Sequence, residues 1–275
     1  MLLPSEQFSL LASLYFNSDP EDFLQCLRSI EGQTLQPDQI VIVLDGPINP
    51  GVRDLLTSFS ARLPIEIVPS QHNLGLGKAL ALGLESCKHE LVARVDTDDI
   101  SVKNRFEKQV SFMRSHREIA ALGGVMRERY LHLGKIRIRD RSGSQGAEEI
   151  KRLIRKRNPL NHPTVMFRKS AVRTVGGYLD CRFFEDYYLW IRLVHAGYKI
   201  ANLDSVLVET EIDDKFFLRR GGVDYLRAEK EFLVKLWQGK LIDIKHLILW
   251  ILLRAPLRVM PLAMRKIIYM SFLRG

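Results

Sequence analysis

Four groups of side chains in this 275-residue sequence have types and spacings that could do chemistry together. Asp45 ends the apolar run QIVIVL. Asn73-Leu74-Gly75-Leu76-Gly77-Lys78 places two glycines and a lysine at the entry to a helical stretch. Asp96-Thr97-Asp98-Asp99 follows LVARV, and Glu185-Asp186 lies within Arg182–Trp190. Asp96 and Asp98 project to one side of an extended chain. They suit a hard divalent cation, Mg²⁺ or Mn²⁺, whose coordination is completed by substrate phosphates. Asn73–Lys78 lacks the GxxxxGK[ST] pattern and is no P-loop, so it is either an anion-friendly loop or a plain loop-to-helix turn. Glu185 and Asp186 either complement a helix dipole or supply a general base within reach of a substrate hydroxyl. Composition does not choose between these two roles. Asp99 and Ser101 are assigned to turn and N-cap duty.

The stretches between these groups must bring them to one rim. Phe8–Phe16, Gln39–Leu44, Ile65–Val68 and Leu91–Val95 form short, continuously apolar strands. Helical stretches separate them. The first has Ser18 and Glu21 at capping-box spacing, and the others run from about Val52 to Leu63 and from Leu76 to Cys87. Such alternation predicts an α/β fold, a doubly wound, mostly parallel sheet with helices on both faces. Ligands bind at the carboxyl ends of such strands, where Asp45, the Asn73 loop and Asp96–Asp99 all fall. Beyond residue 100 a helix is expected at Val102–Ser115, one or two strands at Ala120–Leu133 and a turn-rich loop at Ser142–Ala147. A basic helix at Glu148–Arg157, a helix at Phe184–Ala196 and a strand at Val206–Thr210 follow.

Charge and composition exclude several classes. A 46% hydrophobic content excludes a disordered chain. Cys26, Cys87 and Cys181 are odd in number and widely spaced, against a disulfide framework or structural zinc and for a reducing compartment. The start of the chain has no signal-peptide pattern, and its apolar runs near residues 247–253 and 267–273 fall far short of the roughly 20 residues a span requires. The net charge of +9 hides an asymmetry: residues 1–100 carry 6 basic and 14 acidic side chains, which argues against a nucleic-acid partner. Positive charge collects instead in residues 135–157 and 235–275. In the latter, Leu247, Ile248, Ile251 and Leu252 recur at helical spacing among Arg254, Arg258, Arg265, Lys266 and Arg274, while Pro256 and Pro261 are expected to break the segment into short pieces. This basic amphipathic helical tail suits an anionic membrane surface; the plainer alternative is a cap packed on the domain.

The ordered set Asp45, Asn73-x-Gly75, Asp96-Thr97-Asp98-Asp99, His162-Pro163-Thr164, Gly176-Gly177-Tyr178 and Glu185-Asp186-Tyr187 resembles the family 2 glycosyltransferases over roughly residues 7–230. Within that family it is similar to the bacterial enzymes that build exopolysaccharide, capsule or O-antigen. The resemblance implies a GT-A-like, nucleotide-diphospho-sugar transferase fold. Residues 1–235 would form the catalytic domain, with a nucleotide-binding half to about 100, an acceptor-binding half to about 235, and residues 236–275 as the tail. The halves would share one continuous sheet.

It also implies an inverting, non-processive, metal-dependent transfer from a nucleotide-sugar donor, with UDP as first choice, to a polyprenyl-diphosphate-linked saccharide at the inner face of the plasma membrane. Asp45 would hold the base and Asp96 lie near the ribose, with Asn73, Gly75, Lys78 and Arg94 completing the donor site. Asp98, with Asp96, would hold the metal, and Asp186, or Glu185 as second choice, would be the base. The sequence lacks QxxRW, against a processive synthase, and lacks a histidine motif after Val206–Thr210; Arg219 and Arg220 then either clamp the diphosphate in its place or form a basic surface turn. His162 is expected to be a packed, hydrogen-bonded histidine. Two other classes remain in view: a sugar-phosphate nucleotidyltransferase, opposed by the absence of a Gly-rich basic loop after the first strand, and a non-catalytic membrane-bound adaptor.

Overall fold

The computed structural model describes residues 7–132, 135–144, 146–212, 216, 221–260 and 264. Its first half alternates β1 (Phe8–Leu14), α1 (Pro20–Glu31), β2 (Gln39–Asp45), α2 (Pro50–Ser60), β3 (Ile65–Ser70), α3 (Leu76–Ser86) and β4 (Leu91–Arg94). The four strands are mutually parallel in the order β3-β2-β1-β4. Because β1 is flanked by β2 on one side and β4 on the other, the chain reverses its winding there, and the carboxyl ends of β1 and β4 open a crevice. The cap of α1 differs from expectation. Asp19, not Ser18, accepts from the Glu21 and Asp22 amides, while the Ser18 hydroxyl is taken up by the Tyr15 amide.

The second half comprises β5 (Ile100–Ser101), α4 (Arg105–Ser115), β6 (Ile119–His132), β7 (Lys135–Arg141), α5 (Ala147–Leu153), a 3₁₀ turn (His162–Thr164), β8 (Met166–Arg168), α6 (Lys169–Thr174), α7 (Glu185–His195), β9 (Lys199–Ile212), α8 (Val223–Gln238) and α9 (Ile244–Val259). β8 enters antiparallel to β4, and β6, β9 and β5 follow, so one sheet runs through both halves in the order β3-β2-β1-β4-β8-β6-β9-β5. Parallel pairing is thus confined to the first half and the β6–β9 pair, and the sheet as a whole is mixed. β7, a hairpin partner of β6, was not foreseen. Its KIRIRDR run leaves Ile136 and Ile138 more than 60% exposed, so it carries no buried apolar face to reveal it.

Helices cover both faces. Leu10, Leu14 and Phe8 of β1 point into a core completed by α1, α2 and α4, while Leu11 points into the opposite core with α3, α7, α8 and α9. Each such fully buried leucine contributes about 1.5–3 kcal/mol relative to exposure. The tail helix α9 runs unbroken through Pro256, contrary to the expectation of short pieces. Contacts on both sides of the proline hold it: Trp250 Nε1 and Arg258 both reach the buried carboxylate of Glu229 on α8. Pro261 and the basic residues Arg265, Lys266 and Arg274 lie outside the described residues.

Candidate active site

The rim at the carboxyl ends of the first-half strands collects the expected groups. Asp45 closes β2 and is buried; its two carboxylate oxygens accept from the amides of Leu74 (2.5 Å) and Gly75 (3.1 Å). Asn73 Nδ2 returns a bond to the Asp45 carbonyl at 3.3 Å. Asp45 therefore fixes the loop that leads into α3. Gly46 is required beside it, because φ is +84° and a Cβ would come within 2.9 Å of the Asn73 nitrogen. Lys78, in the first turn of α3, pairs with Asp180 at 2.8 Å with both side chains exposed.

Beyond β4 the chain turns rather than remaining extended. The Asp99 amide donates to the Asp96 carbonyl at 3.3 Å, and carboxylate oxygens of Asp96, Asp98 and Asp99 come within 4.8 Å of one another. The turn is what adds Asp99, assigned from sequence to a turn role only. Burial, then the charges of Asp98 and Asp96, push the Asp99 carboxyl well above the usual range. Three carboxyl groups this close repel unless a cation or protons intervene, and hard oxygen donors fit Mg²⁺ or Mn²⁺.

Two buried arginines hold this turn. Arg94, 1% exposed, donates to the Val95 carbonyl and to Asp96 Oδ1, so it acts on any ligand through Asp96 rather than by direct contact. Arg105 on α4 donates to the Arg94 carbonyl (2.6 Å), the Ser101 hydroxyl (3.0 Å) and Gln109 Oε1 (3.1 Å). Burial lowers its guanidinium to about 9, against the opposing pull of Asp99. Sequence reading missed Arg105; the only signal available was a charged residue on the apolar face of a helix.

Glu185 and Asp186 open α7. Close packing brings α3 against them, since a Cβ on Gly77 would lie 3.1 Å from Glu185 Cβ. Glu185 is buried, and desolvation followed by the Asp186 charge pushes its carboxyl up to about 8. Asp186 is half-buried; its Oδ1 accepts from the Tyr187 amide at 2.6 Å and its Oδ2 from Asn158 Nδ2 at 2.7 Å. Nothing in the sequence pattern pointed to Asn158, which sits in a basic stretch. Burial thus favours the protonated form of Glu185, while the neighbouring Asp186 carboxylate accepts from two donors.

His162 is the packed histidine expected: buried, bonded to the Tyr178 hydroxyl at 3.0 Å, and held neutral by burial and the Arg94 charge. Arg219 and Arg220 lie outside the described residues. Among the described residues, no helix is long and apolar enough to cross a membrane.

Residues 14–176 match the family model described as glycosyl transferase family 2. The chain is 40% identical over 273 residues to the amylovoran biosynthesis glycosyltransferase AmsE of Erwinia amylovora, covering 98% of this chain and 100% of that one. It is 31% identical over 268 residues to the UDP-Gal:alpha-D-GlcNAc-diphosphoundecaprenol beta-1,3-galactosyltransferase of Escherichia coli, covering 98% and 97%. Among solved structures it is similar in fold to the mannosyltransferase PcManGT of Pyrobaculum calidifontis, solved with GDP-Man and Mn²⁺. The TM-score is 0.65 at 13% identity, over 97% of this chain and 75% of that one. That fold is the GT-A fold.

Proposed function

We propose, for a chain that belongs to glycosyl transferase family 2, that it moves a sugar from a UDP-sugar to a saccharide carried on a polyprenyl diphosphate, with inversion and one sugar at a time. The relatives named above, in amylovoran biosynthesis and on a diphosphoundecaprenol-linked acceptor, support this substrate class. Family membership leaves the nucleotidyltransferase and adaptor readings without an observation in their favour. The observation that carries the proposal is the meeting of two carboxylate groups at one rim: the Asp96–Asp98–Asp99 turn on the donor half and Glu185–Asp186 across from it.

In this reading residues 1–235 are catalytic and 236–275 are the tail. The loop fixed by Asp45, with Asn73 and Gly75, shapes the pocket for base and ribose, and Lys78 stands at its edge. Asp96 and Asp98, backed by Arg94, would hold Mg²⁺ or Mn²⁺, which neutralises the diphosphate as it leaves. Arg219 and Arg220, outside the described residues, would clamp the diphosphate. Asp186 accepts the proton of the acceptor hydroxyl as its oxygen bonds to the anomeric carbon. The bond from that carbon to the diphosphate breaks with its electron pair on the leaving oxygen, so configuration inverts. Glu185, protonated at neutral pH, is the less suited base.

The acceptor lipid confines the reaction to the cytoplasmic face of a membrane. Ile244, Ile248, Leu249 and Leu252 of α9 are each more than half exposed and recur on one side of the helix, which supports peripheral docking there. The test is incubation of the full chain with a panel of radiolabelled nucleotide sugars, Mn²⁺ and a bacterial lipid extract. Label moving into the lipid fraction from one donor is expected. Nucleotide-sugar synthesis from sugar phosphate and nucleoside triphosphate, or inertness with every donor, would overturn the reading.

A further inference from the structure

We infer that Asn158 is a positioning residue that aims and acidifies the Asp186 carboxylate, and that the tail helix braces the segment carrying it. The inference rests on the reading of Asp186 as the base. Asn158 Nδ2 donates to Asp186 Oδ2 at 2.7 Å across 28 residues of chain, while its own Oδ1 accepts from the Leu160 amide at 3.3 Å. The amide is thereby oriented with its donor toward the carboxylate. With the Tyr187 amide on Oδ1, both oxygens of Asp186 accept a hydrogen bond, which fixes its plane and favours its ionised form.

The segment bearing Asn158 is itself held. Tyr187, next to Asp186, donates its hydroxyl to the Ile154 carbonyl at 2.6 Å. Arg254 of α9 donates to the Lys156 carbonyl at 2.9 Å, and Trp250 of α9 packs its ring 5.9 Å from that of Tyr187. Residues 154–158 are thus tied to the catalytic helix on one side and to the tail on the other. The end of the basic run has a place in this arrangement: Arg254 of the tail reaches it at Lys156, and Asn158 two residues on faces the candidate base.

The experiment separates positioning from mere structure through Asn158→Asp. This change keeps the Oδ1 that accepts from Leu160 and removes the donor to Asp186. Full-length protein labelled at aspartate ¹³Cγ is titrated by NMR, with the Asp186 resonance assigned as the one missing from Asp186→Asn. The Asp186 midpoint should rise by about one pH unit in Asn158→Ala, and by more in Asn158→Asp, where a like charge faces it. Arg254→Ala should move it in the same direction by less. Melting temperatures report whether each variant is folded. A midpoint unchanged in both folded Asn158 variants overturns the inference, whatever their activity.

Turnover is read in parallel with the nucleotide sugar that the wild-type protein uses in the panel assay, with the same lipid extract as acceptor. A fall in kcat with unchanged donor KM in Asn158→Asp supports the positioning role. Full turnover by Asp186→Asn would instead sink the base assignment on which the inference rests, and the titration would still show whether the contact exists. The two failures therefore look different.

Discussion

Arg254 on α9 donates to the carbonyl of Lys156 at 2.9 Å, joining residues 98 positions apart. The two stretches that hold the excess positive charge of this chain are therefore neighbours in space. Beside this contact, Glu229, 2% exposed, accepts from Arg258 at 2.8 and 3.0 Å and lies 3.7 Å from Arg254. Arg254 also lies over the Trp250 ring at 4.6 Å. One side of α9 is seated on the domain by a buried charge cluster and an aromatic contact, and its other side presents aliphatic residues outward.

That cluster gives the first prediction. Glu229→Ala leaves two guanidinium groups beside an apolar core without their counter-charge, a loss worth about 3 kcal/mol where such a pair is buried. Because α9 is a terminal element, the loss should appear as local opening. Hydrogen exchange of amides in residues 244–259 should speed up by about two orders of magnitude, with the sheet amides little changed. Wild-type protection of α9 in the variant would show that the cluster does not anchor it.

Asp98→Ala should remove metal-dependent binding of UDP while leaving the fold intact. Asp98 is exposed, so its loss opens no cavity, and it relieves repulsion with Asp96 and Asp99. Calorimetry with UDP, with and without Mn²⁺, decides this. An affinity that still rises on adding Mn²⁺ would take Asp98 out of the metal site.

The first half was the legible part of the sequence because its signals are local. Continuous apolar strands and aspartates at their ends report both the layer and the rim, and the parallel β3-β2-β1-β4 order with Asp45 and Asp96 at its edge agrees with them. What escaped depends on tertiary contact. Arg105 is a charge on the apolar face of its helix whose purpose shows only when the Arg94 carbonyl is placed against it, and Asp99 joins the carboxylate group only because the chain turns after β4. Asn158 has no periodicity to betray it, since its partner lies 28 residues away. Pro256 gave a true local signal that was overridden, because Glu229 holds the helix beyond it.

The paired carboxyls of α7 predict unequal kinetic effects. Asp186→Asn should keep donor binding and cut turnover by about 10²–10⁴-fold, the usual range for general-base help. Glu185→Gln should reduce turnover less, since this side chain is already protonated at neutral pH. A larger kcat loss in Glu185→Gln would exchange the two assignments, and no loss in either would return both residues to helix-dipole duty.

Glu185 also predicts how stability depends on pH. Its carboxyl titrates near 4.5 when unfolded and is pushed up to about 8 by burial and the Asp186 charge when folded. Between these values the folded state holds a proton that the unfolded state has released, so this group makes stability fall as pH rises through the window. Glu185→Gln removes the titration. The melting temperature of the variant relative to wild type should climb steadily from pH 5 to pH 8. A constant difference across that range would mean that Glu185 ionises as easily inside the protein as outside it.

The outward side of α9 predicts membrane docking. Ile244, Ile248, Leu249 and Leu252 are 51–66% exposed and follow helical spacing, while Trp250, Arg254 and Arg258 occupy the seated side. Lys245 is exposed among them, and Lys151, Arg155 and Lys156 are exposed in the stretch whose Lys156 carbonyl Arg254 contacts. Apolar side chains bordered by cations suit an anionic bilayer surface, where each basic residue contributes roughly 1 kcal/mol until salt screens it. Full-length protein should therefore float with vesicles containing phosphatidylglycerol at low salt, float less at high salt, and remain in solution with neutral vesicles. Leu249→Asp combined with Leu252→Asp should abolish flotation without unfolding the domain, because neither side chain belongs to the core. Protein that stays in the aqueous fraction with anionic vesicles at low salt would leave α9 as a packed cap whose aliphatic side meets something other than lipid.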